Sequence, residues 1–180
     1  MLTLLFHILR PGNKRFGSGI TFVNSNGNTP NSPRWVSPDW GLQRSASSNT
    51  GIITSGTLDA SAYSNNLELS FRLASFSGNA NNGAETTDYV AVEIDNGTGF
   101  TEQIRIEGAT SNRTWDFNAT GIATTIFGNP SIHKSSSGDD GLTYVSITNI
   151  PNTIVGLRIV MRNNDNNEQW VIDDVVLEAK

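Results

Sequence analysis

The sequence predicts an all-β protein in which about ten short strands form two packed antiparallel sheets. Three observations favour this class. Apolar and polar residues alternate in several short runs, which is typical of strands with one buried face. Asn, Ser, Thr and Gly together occupy 75 of 180 positions, and these residues favour turns and strand surfaces. No segment combines a 3.6-residue apolar repeat with capping residues, so we expect minimal helix.

In the first part of the chain, short strand candidates are separated by turn-rich stretches. They lie at Ile20–Val23, Trp35–Val36 and Ile52–Thr54. The clearest strand of the chain is Leu67–Leu73, because its Leu and Phe residues alternate with Glu, Ser and Arg. A polar loop is expected to follow at 77–88.

The second part of the chain carries a predicted hairpin and several further strands. Tyr89–Ile94 is followed by Asn96-Gly97, residues that accept positive φ, so we expect a hairpin into Phe100–Ile106. The remaining predicted strands, with a loop over 131–141 among them, are Trp115–Phe117, Ile122–Phe127, Tyr144–Thr148, Leu157–Met161 and Trp170–Leu177.

One domain is predicted over residues 17–180, because the chain shows no internal repeat and no linker-like stretch. The segment Leu2–Leu9 is apolar, but it is too short to span a bilayer, and basic residues follow it instead of preceding it as in a secretory signal. We therefore interpret residues 1–16 as an N-terminal extension or an additional edge strand. An apolar edge strand at 2–9 is also able to pair with a second copy of the chain.

Composition excludes several classes of function. The formal net charge is -5, and the arginines are scattered, so the chain lacks the basic stripe that a nucleic-acid binder uses to neutralise phosphates. The chain contains no Cys, which excludes a disulfide framework, thiolate zinc sites and thiol catalysis.

The last predicted strand carries two adjacent carboxylates, Asp173 and Asp174. Neighbouring side chains of a strand point to opposite faces, so one of the two acids lies on the buried face unless a bulge intervenes. A buried carboxylate needs a cation, an arginine such as Arg158 or Arg162, or several backbone donors. A structural Ca²⁺ suits the first case, since it takes six to eight oxygen ligands, and pairing with an arginine remains the alternative.

The run Trp170–Leu177 (WVIDDVVL) resembles the closing strand of jelly-roll domains in exported bacterial proteins, which are similar to MAM-type and carbohydrate-binding-module sandwiches. The segments Leu58–Leu73 and Asp88–Ile94 fit the same pattern, and the resemblance covers about residues 50–180. It implies a non-catalytic accessory or adhesion module, extracellular or on the cell surface. It also implies a structural calcium site formed by Asp173 or Asp174 together with Asp88 and Glu168.

Carbohydrate binding requires aromatic platforms that stack on sugar rings. Trp35, Trp40 and Trp115 lie in polar or turn-rich surroundings, which makes them the candidate ligand-binding residues for a glycan or another cell-surface polymer. The alternative is that each of them anchors the core, because aromatic side chains bury a large area.

Enzymatic activity is not expected. Only His7 and His133 are available as imidazole bases, and the chain contains no zinc-protease, nucleophile-elbow or P-loop motif. Serine neighbours of His133 do not form a triad without an orienting acid and an oxyanion hole.

Overall fold

The computed structural model describes residues 5–9, 21–24, 34–37, 41–45, 49–55, 57–63, 65–78, 83–110, 112–136, 138–165 and 167–180, with the strands before residue 50 described by their pairing alone. These residues form fourteen strands and one turn of 3₁₀ helix at Gly138–Asp140. The strands are β1 Leu5–Leu9, β2 Thr21–Asn24, β3 Arg34–Ser37, β4 Gly41–Ser45, β5 Asn49–Thr54, β6 Leu58–Asp59, β7 Leu67–Ser77, β8 Tyr89–Asp95, β9 Thr101–Gly108, β10 Gly121–Ile126, β11 Ser131–Ser135, β12 Leu142–Ile150, β13 Ile154–Asn163 and β14 Glu168–Ala179. The predicted all-β class is confirmed.

The strands form two sheets, each of seven strands. Sheet A has the order β10-β12-β7-β14-β4-β3, with β1 also paired to β14, and sheet B has the order β11-β9-β8-β13-β5-β2, with β6 paired to β13. Most neighbours are antiparallel, as predicted. The edge pairs β10–β12 and β11–β9 are parallel, because residues 127–130 carry the chain from the edge of sheet A to the edge of sheet B instead of closing a hairpin within one sheet.

The core lies between the two sheets and is built from the alternating apolar residues that the sequence indicates. On β7, Leu67, Leu69, Phe71 and Leu73 are each at most 1% exposed. Each such side chain contributes about 1.5–3 kcal/mol through its burial.

A β-bulge in β14 determines which way the adjacent acids Asp173 and Asp174 point. The register with β7 shifts between Asp173 and Val176, and Asp174 has a φ of 48°. Before the bulge Trp170 and Ile172 are buried, whereas after it Val175 and Leu177 are. The extra residue therefore leaves neither carboxylate in the core: Asp173 lies opposite Arg72, and Asp174 is exposed. The exception stated in the sequence analysis, an intervening bulge, therefore applies to this strand.

Several further segments differ from the sequence prediction, and β4 and β6 were not predicted as strands. Trp115–Phe117 is not a strand, since Trp115 makes only an isolated bridge to Ser75. The predicted loop over 131–141 contains β11, which carries no apolar alternation because it is an edge strand paired only to β9.

Near the N-terminus, β1 lies within the predicted extension and pairs antiparallel with the last part of β14, with Leu5 opposite Glu178. In the part of the chain described above, no helix has the length and apolar character needed to cross a membrane.

Candidate functional site

Three carboxylates meet where the chain passes from sheet B to sheet A. Glu85, Asp88 and Glu168 each offer a carboxylate oxygen, and these oxygens all lie within 4.8 Å of one another. Glu85 and Asp88 belong to the loop before β8, and Glu168 is the first residue of β14. Asp88 is 0% exposed and Glu168 is 4% exposed, so two of the three acids are removed from water.

Backbone N–H groups hold the acids in place. The N–H of Asn164 donates to Asp88 Oδ1 at 2.7 Å and to Glu168 Oε2 at 3.2 Å. The N–H of Asp165 donates to Glu168 Oε2 at 2.9 Å, and the N–H of Glu85 donates to Asp88 Oδ2 at 3.0 Å. The connection between β13 and β14 is thus bound to the loop before β8 through the carboxylates themselves.

The side chain of Asn164 makes further hydrogen bonds between these two segments. Its amide Nδ2 donates to Glu85 Oε1 and, at 2.8 Å, to Thr87 Oγ1. Asn164 therefore contacts all three acids, through its backbone N–H or its side-chain amide.

Burial and the charge of a neighbouring acid raise the pKa values of Asp88 and Glu168. Burial raises the pKa of Asp88 to about 6, and the charge of Glu85 adds to that rise. Burial likewise raises the pKa of Glu168 to about 7, with the negative charge of Asp88 as the next cause. Three neighbouring carboxylates near neutral pH therefore favour either bound protons or a cation.

The geometry fits a calcium ion. Calcium–oxygen distances are about 2.3–2.6 Å, so two ligand oxygens of one ion lie at most about 5 Å apart. The spacing of 4.8 Å or less satisfies this limit. The cluster offers only oxygen donors, which suit a hard cation such as calcium. If an ion binds here, Glu85, Asp88 and Glu168 would hold it, and carbonyl groups or water would complete its coordination.

The structure brings together two of the four acids that the sequence analysis named as calcium ligands. Asp88 and Glu168 belong to the cluster. Asp173 and Asp174 do not, since five residues of extended strand place Asp173 about 16 Å from Glu168. The sequence analysis missed Glu85, three residues before Asp88, because its loop carries no metal-binding pattern.

The three candidate tryptophans have different outcomes. Trp115 is 3% exposed, its Nε1 donates to the carbonyl of Leu73 at 3.2 Å, and its ring packs edge-on against Trp170 at 5.5 Å. It cannot present a ring face to a sugar, so its prediction as a ligand-binding residue is wrong. Trp35 lies on β3 with only its backbone described, and Trp40 lies outside the described residues.

Comparison with solved structures identifies similar folds in adhesin domains. The K3 cleaved adhesin domain of Lys-gingipain (Kgp) from Porphyromonas gingivalis W83 matches with a TM-score of 0.56 and 7% identity, covering 99% of this chain and 99% of that domain. The K1 cleaved adhesin domain of the same protein matches with a TM-score of 0.54 and 15% identity, covering 100% and 99%. At these identities the likeness establishes the fold alone. No protein-family model matches the chain, and no curated protein has a matching sequence.

Proposed function

We propose that this chain is a non-catalytic extracellular adhesion module that is directed at a glycan or another cell-surface polymer and is stabilised by Ca²⁺. The observation that carries the proposal is the similarity of the fold to the K3 and K1 cleaved adhesin domains. The similarity extends over nearly the whole length of this chain and of each adhesin domain. An accessory module of this kind acts through its surface and needs no reaction centre.

The acid cluster supports the calcium part of the proposal. Glu85, Asp88 and Glu168 come from two separate stretches of chain, so an ion bound to all three would join the loop before β8 to the start of β14. Stabilisation of this kind is a structural role, since Asp88 and Glu168 are buried away from any substrate.

The surroundings of His133 support the non-catalytic part. Ser131 Oγ lies 3.0 Å from His133 Nε2, which is the geometry of a nucleophile and its base. However, within the described residues no carboxylate bonds to the imidazole, so the orienting member of a catalytic triad is missing.

The test is binding of the full chain, in the presence of Ca²⁺, to an array of neutral and acidic glycans, with product analysis for each polysaccharide. We expect retention of at least one glycan and release of no shorter products. Trp35→Ala and Trp40→Ala examine the two remaining tryptophan candidates. Cleavage of any polysaccharide, or the absence of binding across the array, contradicts the proposal.

A structural subunit of an extracellular assembly is the second candidate, and β1 is the observation that favours it. This strand pairs with β14 near the chain terminus, and the same pairing formed between copies would exchange β1 from one subunit to the next. Deletion of residues 1–16 should then convert an oligomer into a monomer. If the truncated and full-length chains sediment alike, this alternative fails.

A further inference from the structure

We infer that an open groove beside the start of β7 binds a neutral oligosaccharide, an inference that rests on the proposed function for the general class of ligand. The groove has a volume of about 480 Å³, within the range of about 300–1,000 Å³ that small-ligand sites occupy. It lies between the segment around Asn66 and Glu68 on one side and Thr148 and Asn149 on the other, with Lys180 at its margin.

Two amide groups of the groove, those of Asn66 and Asn149, are available to a ligand. The side chains of Asn66 and Asn149 are exposed and make no hydrogen bond to any residue that the structure describes. Thr148 Oγ1 donates only a long hydrogen bond of 3.4 Å to the carbonyl of Thr125, so its lone pairs remain accessible as acceptors. Two amides and a hydroxyl supply both donors and acceptors, which is what a sugar hydroxyl group requires.

An irregular backbone conformation places Asn149 in this position. The register between β12 and β7 shifts between Ile147 and Ile150, and Asn149 within that irregularity has a φ of 58°. Bulges of this kind redirect a side chain away from the sheet pattern, and they are frequent beside functional sites. Asn is among the few residues that adopt positive φ at low cost.

The charges at the groove do not favour an anionic ligand. Lys180 Nζ lies 3.8 Å from Glu68 Oε2 and also pairs with Glu178, so its positive charge is already compensated. Glu68 and Lys180, which line the groove, carry no net charge at neutral pH, and Glu178 adds a negative charge beside them. An acidic polymer would meet repulsion here, whereas a neutral polyhydroxylated chain would not.

An apolar surface lies directly beside the polar groove. Ile126 is 51% exposed, and the parallel pairing of β10 with β12 sets it opposite Thr148 on the same face. Ile122, 63% exposed, lies four residues earlier on that face, about 13 Å along the strand. The C–H faces of a sugar chain can therefore pack on β10 while its hydroxyl groups reach the amides.

The experiment is a titration of the ¹⁵N-labelled full-length chain with cellohexaose, mannohexaose and xylohexaose, followed by amide chemical shifts and by calorimetry. Hexagalacturonate serves as the acidic counterpart. We expect at least one neutral hexasaccharide to bind, with the largest shifts at 65–68 and 148–149, and no binding of hexagalacturonate.

Two variants test the assignment. Asn66→Ala combined with Asn149→Gly removes both amides, and glycine retains the positive φ at position 149. We expect at least about tenfold weaker binding, which corresponds to about 1.4 kcal/mol. The matched control is Asn112→Gly, since Asn112 is also exposed and has a φ of 54° but lies outside the groove. Ile126→Ser weakens the apolar contact independently of the amides, on an edge strand outside the core.

The outcomes separate the groove from the proposed function. If a hexasaccharide binds the wild type and the amide variant with equal affinity, the groove assignment is overturned and the adhesion function stands. If hexagalacturonate binds more tightly than the neutral chains, the ligand class is wrong. If none of the neutral chains binds the wild type, the groove inference is overturned, and the glycan direction of the proposed function fails only if the glycan array shows no binding as well.

Discussion

Asp88 and Glu168 accept hydrogen bonds from the same backbone N–H, that of Asn164, at 2.7 Å and 3.2 Å. Asp88 directly precedes a strand of sheet B, and Glu168 begins a strand of sheet A. The two buried carboxylates share this donor, and each accepts one further backbone hydrogen bond, Asp88 from Glu85 and Glu168 from Asp165. Neutral donors of this kind do not remove the repulsion between two charged carboxylates. A cation at this position would do so and would hold the two sheets together at this end.

Removal of calcium should therefore destabilise the chain. With Ca²⁺ at about 100 times its Kd, binding to the native state adds about 2.7 kcal/mol to the free energy of unfolding. For a chain of 180 residues this corresponds to a rise in Tm of about 5–10 °C, lost on adding EDTA and restored by Ca²⁺. Differential scanning calorimetry measures the shift. An unchanged Tm after thorough chelation would remove the calcium ion from the proposal.

Neutralising the cluster should abolish this calcium response. Asp88→Asn combined with Glu168→Gln removes two of the three anionic ligands, so we expect no stabilisation by Ca²⁺ in thermal unfolding. In EDTA at pH 8 the double variant should be at least as stable as the wild type, because the repulsion is gone. Asp139→Asn, which changes an exposed acid, is the matched control and should respond to Ca²⁺ normally.

The free energy of unfolding should also depend on pH in a direction set by the cluster. In the metal-free folded chain the pKa of Asp88 is raised to about 6 and that of Glu168 to about 7, so the folded state keeps protons that the unfolded state loses. The free energy of unfolding therefore falls as the pH rises from about 4 to about 7, and it levels off above that.

Urea titrations of the wild type and the Asp88→Asn, Glu168→Gln variant in EDTA measure this effect as the difference between the two chains. The subtraction cancels the contributions of all other acids. In Ca²⁺ the slope should reverse, because the ion binds only the deprotonated carboxylates. A wild-type curve parallel to that of the variant in EDTA would contradict the assignment of the slope to Asp88 and Glu168.

Trp115 and Gly141 should be energetically coupled. A Cβ atom added at Gly141 would lie 2.1 Å from Cγ of Trp115, so Gly141→Ala forces the indole to move and should cost about 1–3 kcal/mol. Trp115→Ala should cost about 3–5 kcal/mol through the cavity it leaves. In the Trp115→Ala background the alanine at 141 should cost much less, which a double-mutant cycle by urea unfolding detects.

Gly78→Ala is the control for that cycle. Its nearest neighbours are atoms of Asn167 at 3.3 Å and beyond, so its effect should add to that of Trp115→Ala. Strict additivity for Gly141→Ala as well would show that Trp115 does not occupy the position described here.

Neither the bulge residue Asp174 nor its carboxylate should be essential for folding. Deletion of Asp174 removes the extra residue and leaves Val175 and Leu177, which are 1% and 0% exposed, on the core face of a regularly alternating strand. We therefore expect the deleted chain to keep cooperative unfolding in urea. Asp174→Gly should change the free energy of unfolding by less than about 1 kcal/mol, because glycine accepts the φ of 48°. Loss of cooperative unfolding in the deletion variant would contradict the assignment of Asp174 as the extra residue.

Sequence patterns predicted the central strands well. The alternation in β7 and the Asn96-Gly97 turn between β8 and β9 depend on neighbouring residues alone, so they are readable without the fold. The edge strand β11 escaped prediction, since Ser131–Ser135 is held by backbone pairing with β9 and needs no apolar face. Trp115 was predicted as a ligand-binding residue because its neighbours in the chain are polar, and these neighbours do not reveal that Trp170 packs against it.

Only part of the acid cluster was predicted, for a similar reason. Asp88 and Glu168 were implied by the resemblance to jelly-roll domains, but Glu85 and Asn164 join the cluster only when two loops 79 residues apart in the chain are brought together.

By itself, the sequence determined the all-β class of the protein. Strands in which apolar and polar residues alternate are stable when their apolar face is buried, here against a second sheet. Only the tertiary structure decided where the acids and aromatic rings lie. A single inserted residue in β14 turned Asp173 and Asp174 away from the core, and the crossing from sheet B to sheet A brought Glu168 to Asp88. The physical reason is that strand faces follow from neighbours in the chain, whereas charge clusters and packed rings follow from contacts between distant segments.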